Sequence, residues 1–170
     1  MALIVEDGTG KADAESFISV ADADAYFAAR GVTAWAALST AAKEEALRKA
    51  TDYMQQQYRG RWKGWRNTAA QALEWPRAGV LDDDPMQLAY LPVDQVPVEV
   101  QRACAELASR ASAADLSPDL ERAQLKVNVG PVGVEYDPMS PEQVRYRAVD
   151  ASLSHLLLST GGIMTRVVRT

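Results

Sequence analysis

Two stretches of the chain repeat apolar residues every three or four positions, and this periodicity limits the fold more than any other feature of the sequence. The repeating positions are Leu47, Ala50, Met54 and Tyr58 in the first stretch, and Val100, Ala103, Leu107 and Ala111 in the second. Residues at this spacing lie on one side of an α-helix and can pack together. The pattern therefore predicts at least two core helices.

Start and stop signals predict two helices in the first third of the chain. Ser19 is a favourable N-cap for a helix over 20–30, Asp22 lies at the capping-box position, and Gly31 follows as a natural stop. The helix that carries the first apolar stripe is expected to begin after Ser39 or Thr40.

A last helix is predicted from the strongest start signal in the chain. Ser140 is the expected N-cap, Pro141 occupies the first helical position and Gln143 completes a capping box. The residues expected on its buried side are Tyr146, Val149, Leu153 and Leu156 or Leu157. The glycine pair at 161–162 should end the helix, and the remaining tail should be extended.

The β signals are fewer. Apolar and polar residues alternate over 125–129 and again over 132–136, and a Gly-Pro turn separates the two runs, which predicts a β-hairpin. Residues 2–5 are expected to form one short strand. We therefore predict a mainly α protein, a bundle of about four helices with a small β-hairpin and extended arms. At 170 residues it is expected to be a single domain over 1–170.

Two segments are predicted to be assembly arms, namely the connection 67–96 and the C-terminal segment 163–170. A long irregular connection that carries many large apolar side chains usually buries them against some surface. The candidate contacts are Trp75, Leu81, Leu88, Tyr90, Ile163, Val167 and Val168. For Trp75 a place in the subunit's own core, beside Trp35, is an equally good expectation.

No catalytic, cofactor-binding or metal-binding residue is predicted, so the chain is not expected to be an enzyme. His155 is the single histidine, and Cys104 is the single cysteine and lies within an apolar helical pattern. The acidic run at 82–84 is best interpreted as solvated loop charge. The segment 8–11 reads Gly-Thr-Gly-Lys, but Val5 and Ala12 stand where a phosphate-binding loop requires glycine and a hydroxyl residue.

The N-terminal residues lack the features of a secretory signal, and no apolar run reaches the length that spans a bilayer. The expected location is the cytoplasm, or an assembly that forms there.

One segment stands out against the net charge of −5, and we call residues 58–66 the basic-aromatic patch. Its candidate contact residues are Tyr58, Arg59, Arg61, Trp62, Lys63, Trp65 and Arg66. Aromatic rings that stack on bases, next to cations that neutralise phosphates, suit single-stranded nucleic acid. The same residue types suit a protein interface. They also suit a core in which the tryptophans are buried and the cations face water, and the sequence leaves all three interpretations open.

Several segments resemble one family of tailed-bacteriophage proteins over most of the chain. These segments are 16–19 (SFIS), 21–27 (ADADAYF), 46–53 (ALRKATDY), 71–77 (QALEWPR), 96–100 (VPVEV) and 103–108 (ACAELA). The family is labelled as DnaT-like single-stranded-DNA-binding proteins. In size and element order the chain also resembles the helical adaptor proteins of phage head-tail connectors.

The two resemblances imply different functions. The adaptor resemblance implies a structural virion protein, formed in the host cytoplasm as a homo-oligomeric ring, by resemblance a dodecamer. Such a ring would contact the portal protein and the tail or stopper proteins, and double-stranded DNA would pass through it without sequence-specific binding. We favour this function, because an adaptor needs no catalytic group and uses arms that reach neighbouring subunits, and because the chain lacks the domain-wide basic surface expected of a replication factor. The alternative is a DnaT-like single-stranded-DNA-binding protein that uses the basic-aromatic patch.

Overall fold

The computed structural model describes residues 2–82, 89–118, 124–128, 133–136 and 144–158. Its helices are α1 (Val20–Ala28), α2 (Thr33–Ala36), α3 (Thr40–Tyr58), α4 (Val98–Ala111) and α5 (Arg147–Leu153), and a 3-10 turn (Ser154–Leu156) follows. Its strands are β1 (Trp65–Arg66), β2 (Arg77–Ala78), β3 (Gln124–Asn128) and β4 (Gly133–Tyr136). The predicted mainly α fold with a small hairpin is confirmed.

Local capping signals explain where the first long helices begin. The Ser19 side chain accepts a hydrogen bond from the Asp22 amide at the start of α1, and the Ser39 side chain accepts one from Ala42 at the start of α3. Each bond satisfies an amide that has no partner within the helix. Pro97, a residue type favoured at the first position of a helix, lies one position earlier here, as the N-cap of α4.

The core forms where α3 packs against α4, and α4 also packs against α5. All eight residues of the two predicted apolar stripes are buried. Cys104 lies in the same interface, fully buried, with its sulfur 3.4 Å from the Thr51 hydroxyl. Both helices therefore use the face that the sequence periodicity predicts.

The predicted hairpin is confirmed, whereas the predicted N-terminal strand is not present. β3 and β4 pair antiparallel, with Gln124 opposite Tyr136 and Asn128 opposite Gly133, as predicted. Residues 2–5 do not form a strand, and Val5 makes only an isolated parallel bridge to Ser16. The partner segment offers few residues for pairing, because the chain enters α1 only four positions after Ser16.

The prediction of a helix that runs continuously from Pro141 is wrong, since residues 144–146 are not helical and α5 begins at Arg147. Tyr146 has non-helical backbone angles, its ring packs edge-on against Tyr53 at 5.6 Å, and its hydroxyl donates to the Leu116 carbonyl. These contacts come from other elements and fix the start of the helix. The predicted capping residues 140–143 lie outside the described residues, as does the C-terminal segment 163–170.

The connection 67–96 contains more regular structure than predicted. It holds β2, which pairs antiparallel with β1, and further along it Leu81 forms an isolated antiparallel bridge with Tyr90. Amide–carbonyl bonds from Leu91 to Val80 and from Asp82 to Ala89 support that bridge. Across the described ranges, no helix combines the length and apolar character needed to cross a membrane.

Candidate nucleic-acid interface

The three aromatic residues of the basic-aromatic patch do not share one environment. Tyr58 and Trp62 are 1% and 2% exposed, whereas Trp65 is 65% exposed. The Trp62 ring lies edge-on between Tyr58, at 5.5 Å, and Trp75, at 5.7 Å. Neither Tyr58 nor Trp62 can stack on a base while this core is intact. Trp65 is the one ring of the patch that a base can reach.

The backbone around Trp62 pairs with residues 156–158, which are distant in the sequence. Trp62 forms an antiparallel bridge with Leu157, the Lys63 amide donates to the Leu156 carbonyl at 3.0 Å, and the Leu158 amide donates to the Arg61 carbonyl at 2.6 Å. Tyr58, at the end of α3, is fixed by a 2.7 Å bond from its hydroxyl to Asp150. Burial, and then this carboxylate, raise the pKa of Tyr58 far above its ordinary value.

Trp65 is exposed, but its position is fixed by neighbouring residues. Its backbone pairs with Ala78 in the short ribbon of β1 and β2, and its six-membered ring lies against Gly79. Gly79 has φ +70°, a conformation that favours glycine, and a Cβ at this position would overlap the Trp65 ring. The indole is therefore held by neighbouring backbone while most of its surface faces solvent.

Arg77 holds the turn that precedes Trp65. Its guanidinium is buried, and it donates to the Lys63 carbonyl at 2.8 Å, to the Gly64 carbonyl at 2.8 Å and to the Glu74 carboxylate at 2.8 Å. Burial lowers the pKa of Arg77, and the charge of Glu74 opposes that effect. Sequence analysis did not identify this role, although Arg77 closes the Trp-Pro-Arg segment that carried part of the family resemblance.

The cations of the basic-aromatic patch differ in side-chain exposure and in the contacts they already make. Arg59 extends into solvent, with a side chain that is 76% exposed and 3.8 Å from Glu74. Arg61 is half-buried, and its guanidinium lies 5.6 Å from the centre of the Tyr58 ring. One guanidinium nitrogen of Arg66 donates hydrogen bonds to the carbonyls of residues 69 and 71. Lys63 is half-buried. Arg59 is therefore the cation best placed to meet a phosphate.

The phosphate-loop-like segment 8–11 already holds an anion from its own chain. The buried Glu6 carboxylate accepts hydrogen bonds from the amides of Gly8, Gly10 and Lys11 at 2.8–2.9 Å. Successive amides that converge in this way form an anion-binding nest. Because Glu6 fills the nest, the loop does not present it to an external phosphate.

The predicted arm residues lie in different environments. Trp75 is fully buried in the subunit's own core, where its ring neighbour is Trp62, while the ring partner of Trp35 is Phe27. Leu81 is 39% exposed and Tyr90 is 71% exposed. The other candidates, Leu88, Ile163, Val167 and Val168, lie outside the described residues.

Other reactive groups form no second site in the parts of the chain that the structure describes. Burial raises the pKa of the Cys104 thiol, and His155 is half-buried in the 3-10 turn. Within those same ranges, no group of three or more His, Cys, Asp or Glu side chains is arranged to hold a metal ion.

The sequence is similar to a known protein family. The family model described as "Putative DnaT-like ssDNA binding protein" matches residues 1–170. No curated protein matches the chain. No solved structure matches it either. Because the model covers the whole chain, the chain belongs to the family that carries this description.

Proposed function

We propose that this protein binds single-stranded DNA weakly and without sequence preference, through a surface centred on Trp65. The observation that carries the proposal is the 65% exposure of Trp65 in a segment that also carries the exposed cation Arg59, in a chain of net charge −5. The family description supports the same function. A tryptophan ring suits any base, because every base has a face on which it can stack.

The geometry also indicates the affinity that should be expected. A base stacked on an aromatic ring contributes about 1–3 kcal/mol, and the buried Tyr58 and Trp62 cannot add to that. If Arg59 and Arg61 neutralise two phosphates, log K should fall with log salt concentration with a slope of about −1.4. We therefore expect modest affinity at low salt and little at high salt.

Fluorescence anisotropy with a labelled thymidine strand of about 16 nucleotides tests the proposal. Trp65→Ala should reduce the affinity at least about fivefold, as expected for the loss of one stacked base. Arg59→Ala should reduce both the affinity and the salt slope. Lys49→Ala is the matched control, because it removes an exposed cation from the middle of α3, about 15 Å along the helix from Arg59. No binding by the wild-type protein at low salt would exclude the proposed function.

A second candidate function is the head-tail adaptor of a tailed phage, and the observation that favours it is apolar exposure in the connection 67–96. Tyr90 is 71% exposed, Val93 45% and Leu81 39%. Large exposed apolar groups that lie close together are typical of protein interfaces. In a ring of copies seated on a portal, these side chains would be covered by a neighbour.

Hydrogen exchange tests the adaptor candidate. The amides of 81–91 should exchange faster in the free protein than in assembled connectors, because contact with a neighbour would protect them. Equal exchange in both states would assign the segment to the subunit's own fold. Deletion of 163–170 should leave a folded protein that no longer supports tail joining, and normal infectious particles from the truncated gene would refute that role.

A further inference from the structure

We propose that Gly79 is the positioning residue that turns Trp65 into a one-faced stacking platform, so that each chain stacks a single base. The inference rests on the proposed function and deepens it. It assigns the base contact to one ring face and names the residue that defines that face.

The contact geometry identifies which face is covered. A Cβ placed on Gly79 would lie 2.5 Å from Cη2 and 3.1 Å from Cε3 of Trp65, and closer still to Cζ3 between them. An approach in the plane of the ring would leave Cε3 much farther away than its two neighbours. The near-equal distances therefore place Gly79 over the face of the six-membered ring and not beyond its edge.

The opposite face remains open, since Trp65 is 65% exposed. A ring with one covered and one open face accepts one base, and it cannot be intercalated between two. Only glycine permits this arrangement at position 79, because any side chain would occupy the volume of the ring. The φ of +70° at Gly79 reinforces the same requirement.

Arg77 supports the platform from the other side of the ribbon. Its bonds to the carbonyls of Lys63 and Gly64 fix the two residues that lead into Trp65. An ordered ring loses less conformational entropy when a base binds than a mobile one would. The ion pair with Glu74 keeps the charge of this buried guanidinium compensated.

The test compares two strands of equal length, one of thymidines and one in which every nucleotide lacks its base. Wild type, Gly79→Ala, Trp65→Ala and the double variant are titrated with both strands by anisotropy. Gly79→Ala should displace the ring and weaken binding of the thymidine strand at least about fivefold, as Trp65→Ala does. Neither change should alter binding of the abasic strand by more than about twofold, because that strand meets only the cations. The double variant should lose no more than Trp65→Ala alone, since both changes remove the same contact.

Several results would overturn the inference. These are unchanged affinity of Gly79→Ala for the thymidine strand, equal losses on both strands, or additive losses in the double variant. If Gly79→Ala does not fold, Arg77→Lys provides the test, since lysine keeps the charge but cannot hold both carbonyls as the planar guanidinium does. Arg77→Lys should weaken binding of the thymidine strand alone, and equal losses on both strands would again contradict the platform.

The two proposals fail in distinguishable ways. A wild-type protein that binds both strands equally still binds single-stranded DNA through its cations, but it has no base platform. A wild-type protein that binds neither strand loses the proposed function, and the platform with it.

Discussion

Replacement of Glu6 by alanine should destabilise the protein by about 3–4 kcal/mol, because the carboxylate is the shared acceptor of three backbone amides. The Gly8 amide is buried, so its loss of a partner should cost about 2 kcal/mol. The amides of Gly10 and Lys11 are half-buried and can recover part of their loss through water, so about 0.5–1 kcal/mol each is expected.

The effect should extend beyond the loop, since Gly8 lies directly against the backbone of residues 94–95. A Cβ at Gly8 would overlap the Asp94 carbonyl oxygen, which shows how close the two segments are. If the nest opens, this contact between the N-terminal segment and the residues that lead into α4 should loosen as well.

Urea denaturation followed by circular dichroism measures the change in the free energy of unfolding. Glu6→Gln should show a smaller loss, because one amide oxygen can still accept from the loop. Asp13→Ala is the matched control, because it removes a nearby exposed carboxylate outside the nest, and it should change stability much less. Phosphate should partly restore the stability of Glu6→Ala by entering the emptied nest. A urea midpoint for Glu6→Ala equal to that of the wild type would refute the reasoning.

Three further outcomes are expected. Desolvation, followed by repulsion from Glu15, raises the pKa of Asp52, so Asp52→Asn should stabilise the fold at pH 7 and lose that advantage as the pH falls through the raised pKa towards about 4, as urea titrations at pH 7 and at about pH 4 will show. The fully buried Cys104 thiol should react with a thiol reagent only as fast as the protein opens, and a fast native reaction would contradict its burial. Trp75→Ala should cost about 3–5 kcal/mol in the isolated subunit, whereas an unchanged free energy of unfolding would mean that the indole is not part of this core.

Local signals in the sequence predicted much of the helical framework. The caps at Ser19 and Ser39 involve residues three positions apart, and the buried stripes of α3 and α4 follow from helix geometry alone. The hairpin was predictable for the same reason, because alternation is a property of each strand by itself. The start of α5 could not be predicted from the sequence, because Tyr146 is fixed by contacts with Tyr53 and Leu116.

The candidate site was also predictable only in part from the sequence. Composition identified residues 58–66 as unusual, but it could not tell which aromatic ring is buried, because Trp62 and Trp65 are the same residue type, three positions apart in a segment without a regular apolar period. The choice is made by residues far away in sequence. Leu156–Leu158 pair with the backbone around Trp62, and Arg77 and Gly79 fix the turn and the ring of Trp65. The sequence by itself determined which side chains could bind a nucleic acid, and only the tertiary structure decided that Trp65 is the one exposed, because burial depends on partners that local pattern does not encode.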